Sequence, residues 1–434
     1  MVGYGGYKFI DKRYKPSKDD IIALFYVEPA KSINFETAVE AIASESSVGT
    51  WTKLKTVQEK RLNKLKAKVF WYDKKQKLCK IAYPIELFEL GNIPQLLSSV
   101  AGNIFGVKIL KHLRLLDIEL PKKYVKAFRG PEFGIPGIRR IFNVRDRPLL
   151  GTIVKPKLGL NAKEHARVAY EAWLGGVDIV KDDENLTSQP FNQFEERIIA
   201  TLEARDKAIT ETGEIKAYMP NITGPIDVMI DRAEFVKGQG GKYIMVDVVT
   251  IGFSALQFIK QLAGKLKLII HAHRAMHAAF TRPKKHGITM LTLAKLLRLV
   301  GVDQLHIGTI VGKMEGVAEE VTEIEEEIEK EIIKERIGGH ILEQSWYHIK
   351  PVFAVSSGGL HPGLVPALVK YLGRDIIIQM GGGIHGHPKG TRIGAIAARQ
   401  AIDAVMKGIK LERYAKKHKE LALALEKWGR KRVK

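Results

Sequence analysis

The alternation of apolar and polar positions changes character once along the chain. From Leu149 to Gly408 one unit recurs: a short β-branched run closing on polar or glycine residues, then apolar residues at helical spacing. That is the signature of βα units. Eight such units are present, with strands predicted at Leu149–Lys157, Val177–Glu184, Lys216–Thr223, Tyr243–Thr250, Leu266–Arg274, Gln304–Thr309, Val352–Ser357 and Ile376–Gly381. A helix is predicted after each, for example Met290–Val300 after the fifth and Ala395–Met406 after the eighth. The span suits an α/β fold in which eight units close into a (β/α)8 TIM barrel, and an open doubly wound sheet is the competing reading of the same alternation. The segment Glu319–Glu335 is dense in charge, yet Val321, Ile324, Ile328 and Ile332 recur at helical spacing, so it is read as the sixth barrel helix.

The first 130 residues have another rhythm. A strand (Ile21–Val27), a helix (Phe35–Ser44), two strands (Ala67–Tyr72 and Leu78–Tyr83), a helix (Pro94–Ala101) and a last strand near Val107–Leu115 give the order of an α+β ferredoxin-like domain. The boundary is placed near Phe128–Gly137, where RGPEFGIPG gathers glycine and proline. The expected domains are thus 1–130, ferredoxin-like, and 131–434, the barrel with helices after Leu411 packed against it.

Composition narrows the class. A chain of 434 residues exceeds the usual single core, and 45% hydrophobic residues can fill two. The start, MVGYGGYKFIDKRYKPSK, has no apolar h-region, and no uncharged apolar run reaches the ~18 residues that a membrane span needs. The single cysteine, Cys79, fits a reducing cytoplasm. The formal charge of +22 is scattered, denser only at Lys8–Lys18 and Lys427–Lys434, whereas nucleic-acid binders concentrate their basic residues on one element. A solvated surface rich in Lys, Glu and Ile accounts for the charge, and its field would favour a polyanionic substrate.

In TIM barrels the chemistry sits at the carboxyl ends of the strands. The second strand ends in Lys181-Asp182-Asp183-Glu184, acidic groups suited to a hard cation such as Mg²⁺. Lys181 either neutralises them in a salt bridge or loses its charge; CO₂ would convert it into an anionic carbamate donor. The first strand ends in Lys155-Pro156-Lys157, and a lysine of lowered pKa there can move protons. The fifth offers His271-Ala272-His273-Arg274, open to three readings: hydrogen-bonded structural histidines, a transition-metal site, or anion binding through the arginine. After His306 on the sixth strand, the loop Gly312-Lys313-Met314-Glu315-Gly316 is either a lid carrying a charge or an ordinary flexible turn. Ser356-Ser357-Gly358-Gly359 and Gly381-Gly382-Gly383 close the seventh and eighth strands, where exposed amides commonly hold phosphate. Together they suggest a substrate with two phosphates and an enolisable centre between them.

These residues resemble the large subunit of RuBisCO: KPKLGL at 155–160, GGVDIVKDDEN at 175–185, HAHRAMHAAF at 271–280, GKMEG at 312–316 and SSGGLHPG at 356–363, with ESSVGTW at 45–51 and GNIFG at 102–106 in the small domain. The short length, NLTSQPFNQFEER and RAMHAAFTR are most similar to archaeal form III enzymes. The resemblance implies a ribulose-1,5-bisphosphate carboxylase/oxygenase that adds CO₂ or O₂. Lys181 would be carbamylated by an activator CO₂ and would hold Mg²⁺ with Asp183 and Glu184. Lys155 would protonate the product carbanion with support from Lys157, Lys313 would stabilise the new carboxylate, and His273 would lie beside the reacting hydroxyls. One phosphate would lie on Arg274, His306 and Ser357, the other on Gly359, Gly381 and Gly382 with Thr50 and Trp51, and Gly358 would also bind substrate. Glu45 and Asn103 would come from the partner of a head-to-tail homodimer with shared sites, alone or in a ring of dimers, with no small subunit, nucleic acid or membrane involved.

Ile153, Ile307 and Val48 depart from the plant-type pattern, where threonine, serine and threonine are familiar; the departures bear on selectivity and rate more than on reaction type. Two rival functions are a RuBisCO-like phosphosugar enolase that fixes no CO₂ and a basic nucleic-acid-binding scaffold.

Overall fold

Every apolar run assigned to the barrel contains a parallel strand, shorter than the run itself. In the computed structural model, which describes residues 8–49, 59–311, 318–336, 338 and 340–430, the strands are Leu149–Ile153, Ile179–Lys181, Ala217–Met219, Tyr243–Asp247, Ile269–His273, Gln304–Gly308, Phe353–Ser357 and Ile376–Gln379. The third stops before Pro220 and the first shortly before Pro156, residues with no N–H to give a ladder. Neighbours run third, second, first, eighth, seventh, sixth, fifth, fourth. Between the outermost two, Met245 N donates to Pro220 O at 2.8 Å and Ile222 N to Met245 O at 3.0 Å, which joins the ends and excludes the open doubly wound sheet.

A helix that the sequence reading did not foresee plugs the amino-terminal end of this barrel. Gly134–Phe142 begins inside RGPEFGIPG, read above as a boundary; Pro136 is tolerated because it lies in the first turn, where no N–H is needed. The Asp303 carboxylate accepts from Phe133 N at 2.7 Å and Gly134 N at 3.0 Å, so the orphan amides of the helix start are satisfied. Asn143, at φ 53°, ends it in the left-handed conformation. Its face of Ile135, Ile138 and Phe142 is buried against the inward residues Leu149, Ile179, Met219, Tyr243, Met245 and Phe353. Each such buried side chain contributes on the order of 1.5–3 kcal/mol.

The sixth barrel helix spans Ala318–Glu329, with Val321, Ile324 and Ile328 buried, and Ile332 is not part of it. Ile332–Ile333 instead pairs antiparallel with Gln344–Ser345, leaving Ile332 58% exposed. The helical spacing continued by coincidence for one turn beyond the helix, into two β-branched residues that favour a strand.

The chain divides into two compact units: Pro131–Ala275 with Gly301–Glu329 and Lys350–Lys434, and Met1–Gly130 with Met276–Val300 and Lys330–Ile349. The second of these is built on strands β1 (Ile21–Pro29), β2 (Lys68–Asp73), β3 (Leu78–Tyr83) and β4 (Leu110–Glu119), antiparallel in the order β4-β1-β3-β2. This is the ferredoxin-like order, with Gly287–Ile288 added parallel at the β4 edge. Helix Phe35–Glu45 starts where Asn34 caps Thr37 N, and helix Ile93–Val100 where Asn92 caps Gln95 N. β4 starts later than expected because Asn103–Gly106 forms a 3₁₀ turn before it. In the barrel unit the terminal helices are Leu411–Ala415 and Lys419–Trp428, the latter tied through Leu421 N to Gln400 Oε1 at 3.1 Å. Among the described residues, no helix is long and apolar enough to cross a membrane.

Candidate active site

Alternation along the second barrel strand decides what faces the mouth. Ile179 points into the barrel core and Lys181 follows on the same side, fully buried. Asp182 turns the other way: its carboxylate takes Tyr218 Oη at 2.5 Å, Asn221 N at 3.0 Å, His165 Nε2 at 3.1 Å and Arg197 Nε at 3.2 Å. Burial works to raise its pKa, but Arg197 and His165 hold it down at about 2. The acidic cluster at the mouth is therefore Asp183 and Glu184, and Asp182 is a structural anchor beneath them.

Lys181 is poorly compensated for a buried cation. Its Nζ donates to Asp182 O at 2.8 Å and lies 3.5 Å from Glu184 Oε2 and 3.6 Å from Met245 Sδ. Burial pushes the amine below the usual lysine range against the pull of Glu184, Asp183 and Asp247. From the first strand, Lys155 Nζ donates to Asp183 Oδ2 at 2.7 Å, while Asn185 Nδ2 holds Asp183 Oδ1 at 2.9 Å. Lys157 is exposed beyond the strand end and is not drawn into this cluster.

The fifth strand sends two histidines inward. His273 Nδ1 lies 3.0 Å from Asp247 Oδ1, and its Nε2 is 3.6 Å from Glu184 Oε2, so it reaches the rim of the cluster. His271 is buried deeper, with Nδ1 2.8 Å from Gln304 Oε1 and Nε2 2.9 Å from His306 Nε2; His306 Nδ1 in turn lies 2.8 Å from Ser357 Oγ. Of the three readings of this stretch, the hydrogen-bonded one describes His271. Burial lowers its pKa to about 3 and takes that of His306 well below the usual value. Arg274, its pKa lowered to about 10 by burial, approaches Gly308 so closely that a Cβ there would stand 2.6 Å from the guanidinium; Gly308 also sits at φ +90°.

The seventh strand runs into Gly358 (φ 116°) and Gly359 (φ 73°), conformations that expose backbone amides and that side chains disfavour. Gly381 faces Lys155, whose Cε would be 3.3 Å from an added Cβ, and Gly382 starts a single turn to His385. Glu45 is exposed at the end of its helix and Asn103 at the start of the 3₁₀ turn. Thr50, Trp51 and Lys313 lie outside the described residues. Asp247, Gln304 and Asn221, which bonds Glu184 O through Nδ2 at 3.1 Å, went unread in the sequence. Asp247 ends the fourth strand and Asn221 lies two residues past the third, each short of the end its run suggested, so the strand-end rule finds them only once the strands are seen.

The donor set fits a hard cation with one condition. Among the described residues no three His, Cys, Asp or Glu side chains form a metal cluster. Asp183 and Glu184 supply two carboxylates, and the third inward group at that rim is the Lys181 amine. As a carbamate this amine becomes an oxygen donor, and the set then suits Mg²⁺.

A closed (β/α)8 barrel whose rim joins carboxylates, lysines and glycine-lined strand ends defines a barrel enzyme for an anionic substrate. The chain belongs to the ribulose bisphosphate carboxylase large chain family, matching its N-terminal domain over residues 8–124 and its catalytic domain over residues 134–428. It is 54% identical over 427 residues to the ribulose bisphosphate carboxylase of Methanocaldococcus jannaschii, covering 97% of this chain and 99% of that one. It is 50% identical over 423 residues to that of Pyrococcus abyssi, covering 97% and 96%. Among solved structures, a dimeric archaeal Rubisco from Hyperthermus butylicus superposes with a TM-score of 0.93 at 49% identity, covering 97% and 99%. The octameric enzyme of Pyrococcus horikoshii, solved with sulfate, gives 0.91 at 50%, covering 97% and 96%.

Proposed function

We propose that the chain is a ribulose-1,5-bisphosphate carboxylase, a carboxy-lyase that enolises the sugar bisphosphate, adds CO₂ and cleaves the product to 3-phosphoglycerate. The observation that carries this is the meeting of Lys155, Lys181, Asp183, Glu184 and His273 at one strand rim in a chain about half identical, end to end, to named carboxylases. The downward shift of the Lys181 pKa by burial favours the neutral amine that reacts with CO₂. Mg²⁺ on Asp183, Glu184 and modified Lys181 would act as a Lewis acid on the substrate carbonyl.

The chain's own groups then divide the proton work. Lys181, once carbamylated, takes the C3 proton to leave an enediolate. Lys155, held by Asp183 at 2.7 Å, protonates the carbanion after cleavage, with Lys157 beyond it. His273, oriented by Asp247, serves the reacting hydroxyls. Lys313 stabilises the new carboxylate. Arg274, His306 and Ser357 hold one phosphate, and the amides of Gly358, Gly359, Gly381 and Gly382 the other with Thr50 and Trp51. Glu45 and Asn103 complete the site from a partner subunit, so the working unit is a homodimer or a ring of dimers without a small subunit. O₂ competes for the same enediolate, and a cytoplasmic setting agrees with the free, buried Cys79. The test is incubation with labelled CO₂, Mg²⁺ and ribulose bisphosphate: labelled phosphoglycerate is expected, and enolisation without it would instead identify a phosphosugar enolase.

A further inference from the structure

Five side chains form one hydrogen-bonded line through the barrel interior, and its proton order follows from one end. Gln304 Nε2 donates to Tyr243 Oη at 3.4 Å, which leaves its Oε1 to face His271 Nδ1 at 2.8 Å. An amide oxygen only accepts, so His271 carries its proton on Nδ1. A neutral His271 then has a lone pair on Nε2, and the 2.9 Å contact obliges His306 to hold its proton on Nε2. His306 Nδ1 is left as a lone pair, and Ser357 Oγ, 2.8 Å away, must donate to it.

This order leaves the line no proton to offer an anion, so that Arg274 alone would donate to it. A phosphate oxygen accepts hydrogen bonds, yet Ser357 has spent its proton on the ring and the ring turns a lone pair outward. We propose that Gln304 is a positioning residue which fixes His306 in the Nε2–H form, so that capture of the substrate phosphate beside Ser357 takes up one proton onto His306 Nδ1. On uptake the ring becomes a double donor: Nε2–H stays on His271, Nδ1–H donates to Ser357 Oγ, and the Ser357 hydroxyl proton is released to the phosphate. The proton comes from solvent and no other bond changes. The groups facing His306 are His271, His273 and Arg274 of the fifth strand and, while its amine is unmodified, Lys181 of the second; in the carbamylated enzyme burial and the fifth-strand groups oppose a positive ring until the dianion arrives.

The inference rests on the placement of one phosphate at Ser357 and Arg274. The probe is ribitol 1,5-bisphosphate, which has no carbonyl to enolise, titrated calorimetrically into the Mg²⁺- and bicarbonate-treated enzyme in buffers of different ionisation heat. The pH is kept well above the second phosphate ionisation, near about 6, so that the ligand itself carries no proton. The expected count is about one proton taken up per active site, with affinity falling about tenfold for each unit by which the pH is raised. Nitrogen NMR of histidine-labelled free enzyme is expected to show His306 protonated on Nε2 alone. Gln304→Glu holds a charge that keeps the line protonated beforehand, and Gln304→Met frees the tautomers to reverse, so both lose the uptake; a merely structural role for Gln304 would change affinity and keep it. A wild-type count of zero, or a His306 protonated on Nδ1 in the free enzyme, overturns the proposal. Loss of affinity in Ser357→Ala together with a zero count would leave the phosphate placement standing and sink only the tautomer order; unchanged affinity in Ser357→Ala sinks the placement and the proposal with it.

Discussion

The two ends of the barrel both bury charge, and they treat it in opposite ways. At the amino-terminal end Asp178 receives Arg147 through Nη1 at 2.7 Å and Nη2 at 2.8 Å, plus Leu150 N at 2.8 Å. Burial acts to raise the Asp178 pKa, yet Arg147 keeps it below the usual range. At the carboxyl-terminal end Lys181 is equally buried, and its nearest carboxylate stands off at 3.5 Å. A satisfied pair has no reason to react; burial without a close carboxylate shifts the amine toward its neutral, nucleophilic form. The difference separates charge that fixes the fold from charge kept for chemistry.

The sharpest break of this contrast is Lys181→Ala. Carboxylation is expected to fall to background and Mg²⁺ affinity to drop, while the melting temperature holds or rises, since an undercompensated buried cation leaves. A coupled assay and a thermal melt on the same preparation decide it; normal turnover would remove the carbamate assignment. Arg147→Ala is the mirror experiment. Leaving Asp178 buried with only Leu150 N and the more distant Arg399, 3.9 Å away, should cost about 3–5 kcal/mol in denaturant unfolding, with kcat per folded molecule unchanged. The pH dependence carries its own sign. Because the folded Asp178 pKa lies below the unfolded value of about 3.9, its contribution is complete above that pH and is lost as pH falls toward the folded value. The lead of wild type over Asp178→Asn in guanidinium midpoints should therefore be constant near neutrality and shrink only in acid.

How far the sequence could be read divides along similar lines. The barrel strands were legible because β-branched runs alternate with helical spacing, and the rim residues because strand ends carry a functional meaning. The plug helix was not: its signal is four apolar residues, Ile135, Ile138, Ile141 and Phe142, broken by glycine and proline, and its start is held by Asp303, remote in sequence. Asp182 was misplaced because DDE reads as one cluster until strand alternation and the turn assign each carboxylate a side. Gln304 looked like a strand's polar opening residue, and only the inward stacking of the fifth and sixth strands puts it on His271.

Gly308→Ala tests the rim at smaller scale. A side chain at φ +90° strains the backbone by roughly 1–3 kcal/mol. The methyl would also press on the Arg274 guanidinium, which can swing aside only by leaving its place at the proposed phosphate. A raised KM for ribulose bisphosphate with kcat little changed is expected from steady-state kinetics. An unaltered KM would detach Arg274 from substrate binding and blur the line between the two barrel ends.

The least effect should come from an ion pair of good geometry in the wrong place. Arg392 Nε and Nη2 reach Glu171 at 2.7 and 2.9 Å, as close as Arg147 comes to Asp178, but these side chains are 44% and 34% exposed. Water already solvates both partners, and counter-ions screen what attraction is left. Glu171→Gln should cost less than about 1 kcal/mol, shrink further in high salt and leave turnover alone. Distance is the same in the two pairs, so a loss as large as that of Arg147→Ala would mean that geometry and not burial sets the value of a charge in this barrel, and the contrast between its ends would need another cause.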